Sequence, residues 1–291
     1  MMGYSASPRP TFDAPTAIPY STVTRHLWGD EDSGRVADWI YVSSDKIHQL
    51  VFGLPPGASF RHSDAYRTVF AADEVLYVLS GELVLANPES GEVHRLVPGE
   101  AGFFRRDTWH HAWNASTDEL RVLELFSPPP SQGTSGSYAR TKPYLHDVQY
   151  TQDAWLGRWP SSAVEARAGH TIQVLRSQDM LWRMEGKSNP LLVGLVASTE
   201  HLTVGVLRLL PGQRSDVRSH GGAASLYVRQ GTLHIHLPNQ PPPAWHELSP
   251  ADGFYLPEGA QYQYYNMSAE SVELVFGVAP SYLIERAGKA P

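Results

Sequence analysis

His62, Asp64, Glu74 and His110 are of the residue types that hold a divalent cation. A β-strand turns successive side chains to opposite faces, so residues two apart share a face. By that rule His62 and Asp64 point the same way as Phe60, His110 shares a face with Ala112 and Asn114, and Glu74 shares one with Leu76 and Val78. His111 and Trp113 fall on the other face. If the first set lines a barrel, two imidazoles and one or two carboxylates converge, with Asp64 as the optional fourth ligand. Two His and one carboxylate leave coordination positions open for a substrate or dioxygen. The expected metal is Fe(II), with Mn(II), Ni(II) or Zn(II) as alternatives. Glu74 has a second reading as a general base beside the metal. The chain has no cysteine, which excludes disulfides, thiolate ligands and a cysteine nucleophile.

The elements that must position these residues are strands. VADWIYVSS (36–44), KIHQLVFGL (46–54), EVLYVLS (74–80), ELVLAN (82–87) and ELRVLELF (119–126) are rich in β-branched and aromatic residues and bounded by Gly, Pro and Asp. LLVGLVAS (191–198), HLTVGVLRLL (201–210), SLYVRQ (225–230), TLHIHL (232–237) and SVELVFGV (271–278) repeat the style. Helical patterning is sparse, with one short helix predicted over 161–167. The Pro-, Gly- and Ser-rich stretch at 127–144 reads as a connector, which puts a domain boundary near residue 150. An arm over 1–35 precedes the first domain. The halves are related: EVLYVLSGELVLA (74–86) aligns with ASLYVRQGTLHIH (224–236), and LPPG (54–57) answers LLPG (209–212). Gly57 and Glu74 are 17 apart, whereas Gly212 and Ala224 are 12 apart, so the first copy carries about five extra residues in that loop. A repeat this long implies two similar domains.

With 291 residues, 42% of them hydrophobic, the chain can bury two cores. A net charge of −7 argues against a nucleic-acid groove. No apolar run approaches the ~20 residues of a membrane helix, and the opening residues lack the charged-then-apolar pattern of a secretory signal. A cytoplasmic protein acting on a small molecule is expected. No phosphate-binding Gly-rich loop and no Gly-x-Ser-x-Gly elbow is present.

In its order of motifs the sequence resembles the cupin superfamily, specifically the bicupins. Glu74 and Gly81 fit the second half of the first cupin motif, His62 fits its first His, and His110 and Asn114 fit the end of the second motif. Asp64 stands where that motif has a second His, and Arg-Arg-Asp-Thr (105–108) replaces its Pro-x-Gly turn. Pro257, Gly259 and Asn266 keep the frame in the second copy. There Arg218, Ala224 and Tyr262 occupy three of four ligand positions and leave His220 alone, a degenerate site in a barrel that is structural or a ligand-shaping wall. The resemblance covers about 46–127 and 191–279. It implies an all-β fold of two tandem double-stranded β-helix (jelly-roll) barrels, and a homodimer is expected with it. It also implies a metal-dependent dioxygenase acting on a phenolic, enolic or dicarbonyl substrate, with His62, Glu74 and His110 as ligands. Arg105, Arg67 and Phe60 would meet the substrate. His62-x-Asp64 with His110 is also the ligand spelling of the 2-oxoglutarate oxygenases. Two further readings are a metal-dependent isomerase, decarboxylase or lyase, and a non-catalytic small-molecule binder.

Overall fold

The computed structural model describes residues 5–128, 137–157, 159 and 167–284; the helix predicted over 161–167 falls almost wholly outside them. The first barrel is built from β2 (Thr24–Asp30), β3 (Gly34–Ser43), β4 (His48–Leu54), β5 (Ser59–Phe60), β6 (Asp73–Ser80), β7 (Leu83–Asn87), β8 (Glu92–Leu96), β9 (Ala101–Phe104), β10 (His111–Asn114) and β11 (Leu120–Ser127). The second uses β13 (Leu181–Glu185), β14 (Leu191–Ser198), β15 (Thr203–Leu209), β16 (Ala223–Gln230), β17 (Leu233–His236), β18 (Trp245–Leu248), β19 (Gly253–Leu256), β20 (Gln263–Tyr265) and β21 (Val272–Ala279). Two short strands, β1 (Thr16–Ile18) and β12 (Gln173–Leu175), cross between them. The connector holds one α-helical turn, α1 (Ser137–Arg140).

Each barrel is a seven-stranded sheet closed by a smaller one, in the orders β12-β9-β6-β11-β4-β3-β2 with β5-β10-β7-β8, and β1-β19-β16-β21-β15-β14-β13 with β18-β17-β20. All pairings are antiparallel, the architecture of two jelly rolls. The crossing strands are reciprocal. Ile18 of β1 pairs with Gly253 of the second barrel, and Leu175 of β12 pairs with Ala101 of the first. Hydrogen bonding therefore runs across the boundary expected near residue 150, because each edge strand is completed by the segment leading into the other barrel.

Alternation sorts the side chains into three cores. Leu76, Val78, Leu120, Val122, Leu50 and Phe52 fill the first barrel. Their neighbours Val75, Tyr77, Leu123, Leu125 and Val51 point the other way and meet Val204, Val206, Tyr227 and Val275 of the second barrel. The large sheets thus pack face to face, each strand apolar on both sides, as a fully covered sheet requires. Fully burying one such side chain contributes about 1.5–3 kcal/mol. Polar contacts fix the docking: the Tyr41 hydroxyl donates to the Ala251 carbonyl at 2.6 Å, and Gln49 Nε2 donates to the Leu226 carbonyl at 3.2 Å.

The repeat holds down to single turns. Gly81 and Gly231 turn the β6–β7 and β16–β17 hairpins at φ 75° and 74°, where a Cβ would lie 2.8 Å from Leu120 Cα or 2.5 Å from the Ser271 carbonyl oxygen. Asn114 Nδ2 donates to the Leu54 and Asp118 carbonyls, as Asn266 Nδ2 does to those of Leu209 and Glu270. These asparagines tie loops and carry no chemistry. Asp107 takes the left-handed conformation, φ 66°, that Gly259 takes at φ 73° in the second copy, so the turn before His110 survives without its glycine.

Candidate metal centre

Three side chains from three strands meet inside the first barrel. Glu74 is the second residue of β6, Glu124 sits in β11 on the face of Leu120, Val122 and Phe126, and His110 immediately precedes β10. Their ligand atoms lie within 4.8 Å of one another, and all three residues are buried. His110 Nδ1 faces its own chain at the Thr108 carbonyl, 3.4 Å away, which leaves the Nε2 lone pair aimed at Glu74 Oε1 at 3.6 Å. Neither Glu74 oxygen meets a hydrogen-bond donor.

A buried carboxylate without a donor is costly, and two of them repel. Burial, then the charge of Glu124, pushes the Glu74 carboxyl well above the usual range. Burial raises Glu124 to about 7 and lowers His110 to about 4, so its imidazole is neutral. Without a cation the two acid groups can only share a proton between them; with that proton gone, two carboxylates and one imidazole lone pair facing one space are the complement of a divalent cation. The donor set of one nitrogen and two carboxylates suits Mn(II), Fe(II) or Zn(II).

His110 and Glu124 line a cavity of about 280 Å³, and Glu74 lies behind them. Trp28, Leu50, Phe52, Phe60, Phe70 and Phe126 give it apolar sides, and Asp38, His48 and Thr68 add polar groups. Burial and then Glu124 push the Asp38 carboxyl well above its ordinary range. His48 stacks on Phe126 at 5.3 Å and is held neutral, lowered to about 3 by burial and then Arg9. Residues 6–9 of the arm roof the opening, where Arg9 donates to the Ser43 and Ser44 carbonyls.

The structure places the other expected site residues elsewhere. Phe60 is in the cavity wall, 5.9 Å from the His110 ring. His62 does not converge with Glu74 and His110. Strand β5 ends at Phe60, so alternation stops before His62. Its ring instead sits between His111 Nε2, 2.7 Å from Nδ1, and the Leu145 carbonyl, 2.8 Å from Nε2. Asp64 is exposed at a bend. Arg67 donates to the Ala139 and Lys142 carbonyls and covers the Tyr144 ring, away from the cavity. Arg105 pairs with Asp73 at 2.9 Å and with Glu200 of the second barrel. It bridges domains rather than lining the cavity.

The reason is the extra loop. The His110 amide donates to the Thr68 carbonyl, as the Tyr262 amide does to that of Arg218; the Asn114 amide donates to Ala58, as that of Asn266 does to Gln213. The five extra residues therefore fall between Ala58 and Thr68. Thr68 and Phe70, not His62 and Asp64, stand opposite Arg218 and His220. Glu124 and Asp38 are the residues that sequence reasoning missed. Each is an acid on an otherwise apolar strand face, between Val122 and Phe126 or between Val36 and Ile40, and that break in pattern was the available signal.

Strand register locates the same positions in the second barrel. Glu124 pairs with Leu76 as Phe276 pairs with Leu226, and Asp38 pairs with Phe52 as Val193 pairs with Leu207. Asp38, Glu74, His110 and Glu124 thus answer to Val193, Ala224, Tyr262 and Phe276, all in the second barrel's core. His220 Nδ1–H donates to the Tyr282 carbonyl at 2.8 Å, and its Nε2 accepts from the Tyr262 hydroxyl at 2.6 Å, so both ring nitrogens are occupied. Arg218 donates to Glu185 at 2.6 Å and to the Tyr282 hydroxyl at 2.9 Å.

Comparison with known proteins agrees with this architecture. Residues 50–126 match the sequence profile of the Cupin domain family. No curated protein sequence matches the chain. Among solved structures, the oxalate decarboxylase of Lactobacillus farciminis in complex with formate is 11% identical with TM-score 0.61, over 95% of this chain and 88% of that one. Protein Ylba from E. coli is 10% identical with TM-score 0.61, over 94% of each chain. AerE from Microcystis aeruginosa is 12% identical with TM-score 0.57, over 88% of this chain and 97% of that one. At these identities the likeness is one of fold.

Proposed function

We propose that this chain, a bicupin of the cupin superfamily, is a metal-dependent enzyme that moves a proton at a carbon next to a carbonyl or carboxyl group of a small, mostly apolar substrate. That is the chemistry of an isomerase, lyase or decarboxylase. The observation that carries the reading is the pairing of a donor set, Glu74, His110 and Glu124, with a proton-holding acid, Asp38, on the wall of one cavity.

Glu74, Glu124 and His110 would hold the divalent cation, which when bound polarises a substrate carbonyl. Asp38 does the proton work. Burial and the Glu124 charge keep its carboxyl protonated, and a cation on Glu124 offsets the second of these. Its proton is then held loosely enough to be given to carbon and taken back. Once Asp38 has given up its proton, its carboxylate can take one from a substrate C–H, and that bond pair moves onto the carbonyl oxygen. In decarboxylation the carbon–carboxylate bond pair stays on carbon as CO2 leaves, and the Asp38 proton fills the place. The apolar walls leave few polar groups to compete for the proton. A decarboxylase stands among the proteins of like fold, which supports this class without fixing the substrate.

The dioxygenase reading survives as the second, favoured by a donor set that fills few coordination positions and by aromatic cavity walls. One experiment separates the two. The metal-loaded protein is incubated in D2O with a panel of small oxo-acids and β-dicarbonyls, following substrate C–H signals by NMR and oxygen with an electrode. Exchange, isomerisation or CO2 release without oxygen uptake, reduced about 100-fold or more in Asp38→Asn, supports the proposal. Oxygen consumption stoichiometric with product would overturn it.

A further inference from the structure

A second cluster of ligand atoms lies outside the cavity, where the segment leading into the second barrel returns to the first. Glu92 and His94 belong to β8, and His170 stands just before β12. Their ligand atoms also lie within 4.8 Å of one another, and the side chains are only 1%, 9% and 7% exposed. Glu92 Oε2 accepts from the Thr171 amide and hydroxyl at 3.0 and 2.8 Å. Its Oε1 accepts from the Ile172 amide at 2.8 Å and faces two imidazole nitrogens, His94 Nε2 at 2.8 Å and His170 Nδ1 at 3.5 Å.

The second observation is the state of His170. Its Nε2–H donates to Gln152 Oε1 at 3.2 Å, and its ring stacks on Trp155 at 5.4 Å and 7°. With the proton on Nε2, Nδ1 carries a lone pair. That nitrogen is buried, has no hydrogen-bond partner, and points at a carboxylate oxygen that also carries lone pairs. Gln152 and Trp155 hold it there, as partners of metal-bound imidazoles do. Facing lone pairs in a buried site repel, and a cation between them would turn the repulsion into two bonds.

We infer that Glu92, His94 and His170 form a second metal site, of the Zn(II) or Co(II) class, that clips the β12 segment to β8 of the first barrel. Two imidazole nitrogens and one carboxylate oxygen make three protein ligands, with water available for a fourth position. Binding moves the His94 proton from Nε2 to Nδ1, so the ring takes its other tautomer, stays neutral, and frees the Nε2 lone pair without net proton release. The site shares no residue with the cavity group and does not depend on the activity proposed for it.

The test is titration of chelator-stripped full-length protein with ZnCl2 by calorimetry, and with CoCl2 by visible absorption. Variants are His94→Ala, His170→Ala, Gln152→Ala and, to silence the cavity, His110→Ala. One equivalent of metal should persist in His110→Ala and disappear in His94→Ala and His170→Ala. Gln152→Ala, which keeps all three ligands, should weaken that equivalent about 10–100-fold. Circular dichroism checks that each variant is folded, and Gln152→Ala keeps the test open if a histidine variant is not. The same number of equivalents in wild type, His94→Ala and His170→Ala, or no binding at all in folded His110→Ala, would overturn the inference.

Discussion

At the scale of residues, Glu124 decides the character of the first barrel. Without a cation it shares a buried space with Glu74, and burial raises its pKa to about 7 from an unfolded value of 4.5. A carboxyl whose folded pKa is raised is stabilising, relative to full ionisation, while it stays protonated. That contribution is intact below pH 4.5 and is lost as pH rises through 7. The metal-free wild-type chain should therefore lose stability relative to metal-free Glu124→Gln across pH 4.5–7, by of order 3 kcal/mol. Paired urea denaturations at several pH values measure this, and saturating Mn(II) should remove the trend. A flat difference would mean that the two acids do not share one buried space. Glu74 and His110 were legible from motif spacing, because one lies in a regularly alternating strand and the other directly precedes one. Glu124 and Asp38 were hidden because each belongs to no motif and shows only as one acid in an apolar stripe. His62 misled for the opposite reason: it fits a motif in the linear count, but the strand that would aim it ends two residues earlier.

At the scale of elements, the reciprocal strands β1 and β12 bind the two barrels into one unit. Ile18 ends β1 in the second barrel's sheet and is buried in the core shared by both large sheets. Ile18→Ala should cost about 2–4 kcal/mol. Because the core is shared, unfolding should remain a single transition, followed by calorimetry and by tryptophan fluorescence together. Two separated transitions would show that the sheets fold independently. The strands themselves were readable from alternation, as was the repeat and even the excess length of the loop before Glu74. The exchange of β1 and β12 was not, since three-residue strands carry no period of their own and are fixed by the edges they complete. The roof formed by residues 6–9 was hidden for the same reason: a Pro-containing arm is placed by what it packs against.

At the scale of the whole molecule, one frame holds two interiors. Asp38, Glu74, His110 and Glu124 line or back the cavity of the first barrel, and the apolar or aromatic Val193, Ala224, Tyr262 and Phe276 fill the same places in the second. Writing the second barrel's residues into the first, as Asp38→Val, Glu74→Ala, His110→Tyr and Glu124→Phe together, should stabilise the metal-free protein by about 1–4 kcal/mol. It should also abolish metal binding in the cavity. A chemical denaturation midpoint that falls instead would show that the polar group contributes to the fold. Among the described residues no helix is long and apolar enough to cross a membrane.

The central claim is that Glu74, His110 and Glu124 hold the cavity's metal and that His62 does not. Its most direct test is metal content per chain, by elemental analysis of anaerobically purified, Mn(II)-reconstituted His62→Ala and Glu124→Ala in a His170→Ala background. We expect about one equivalent to remain in the His62 variant and to be lost from the Glu124 variant. Metal lost with His62 and retained without Glu124 would contradict the account.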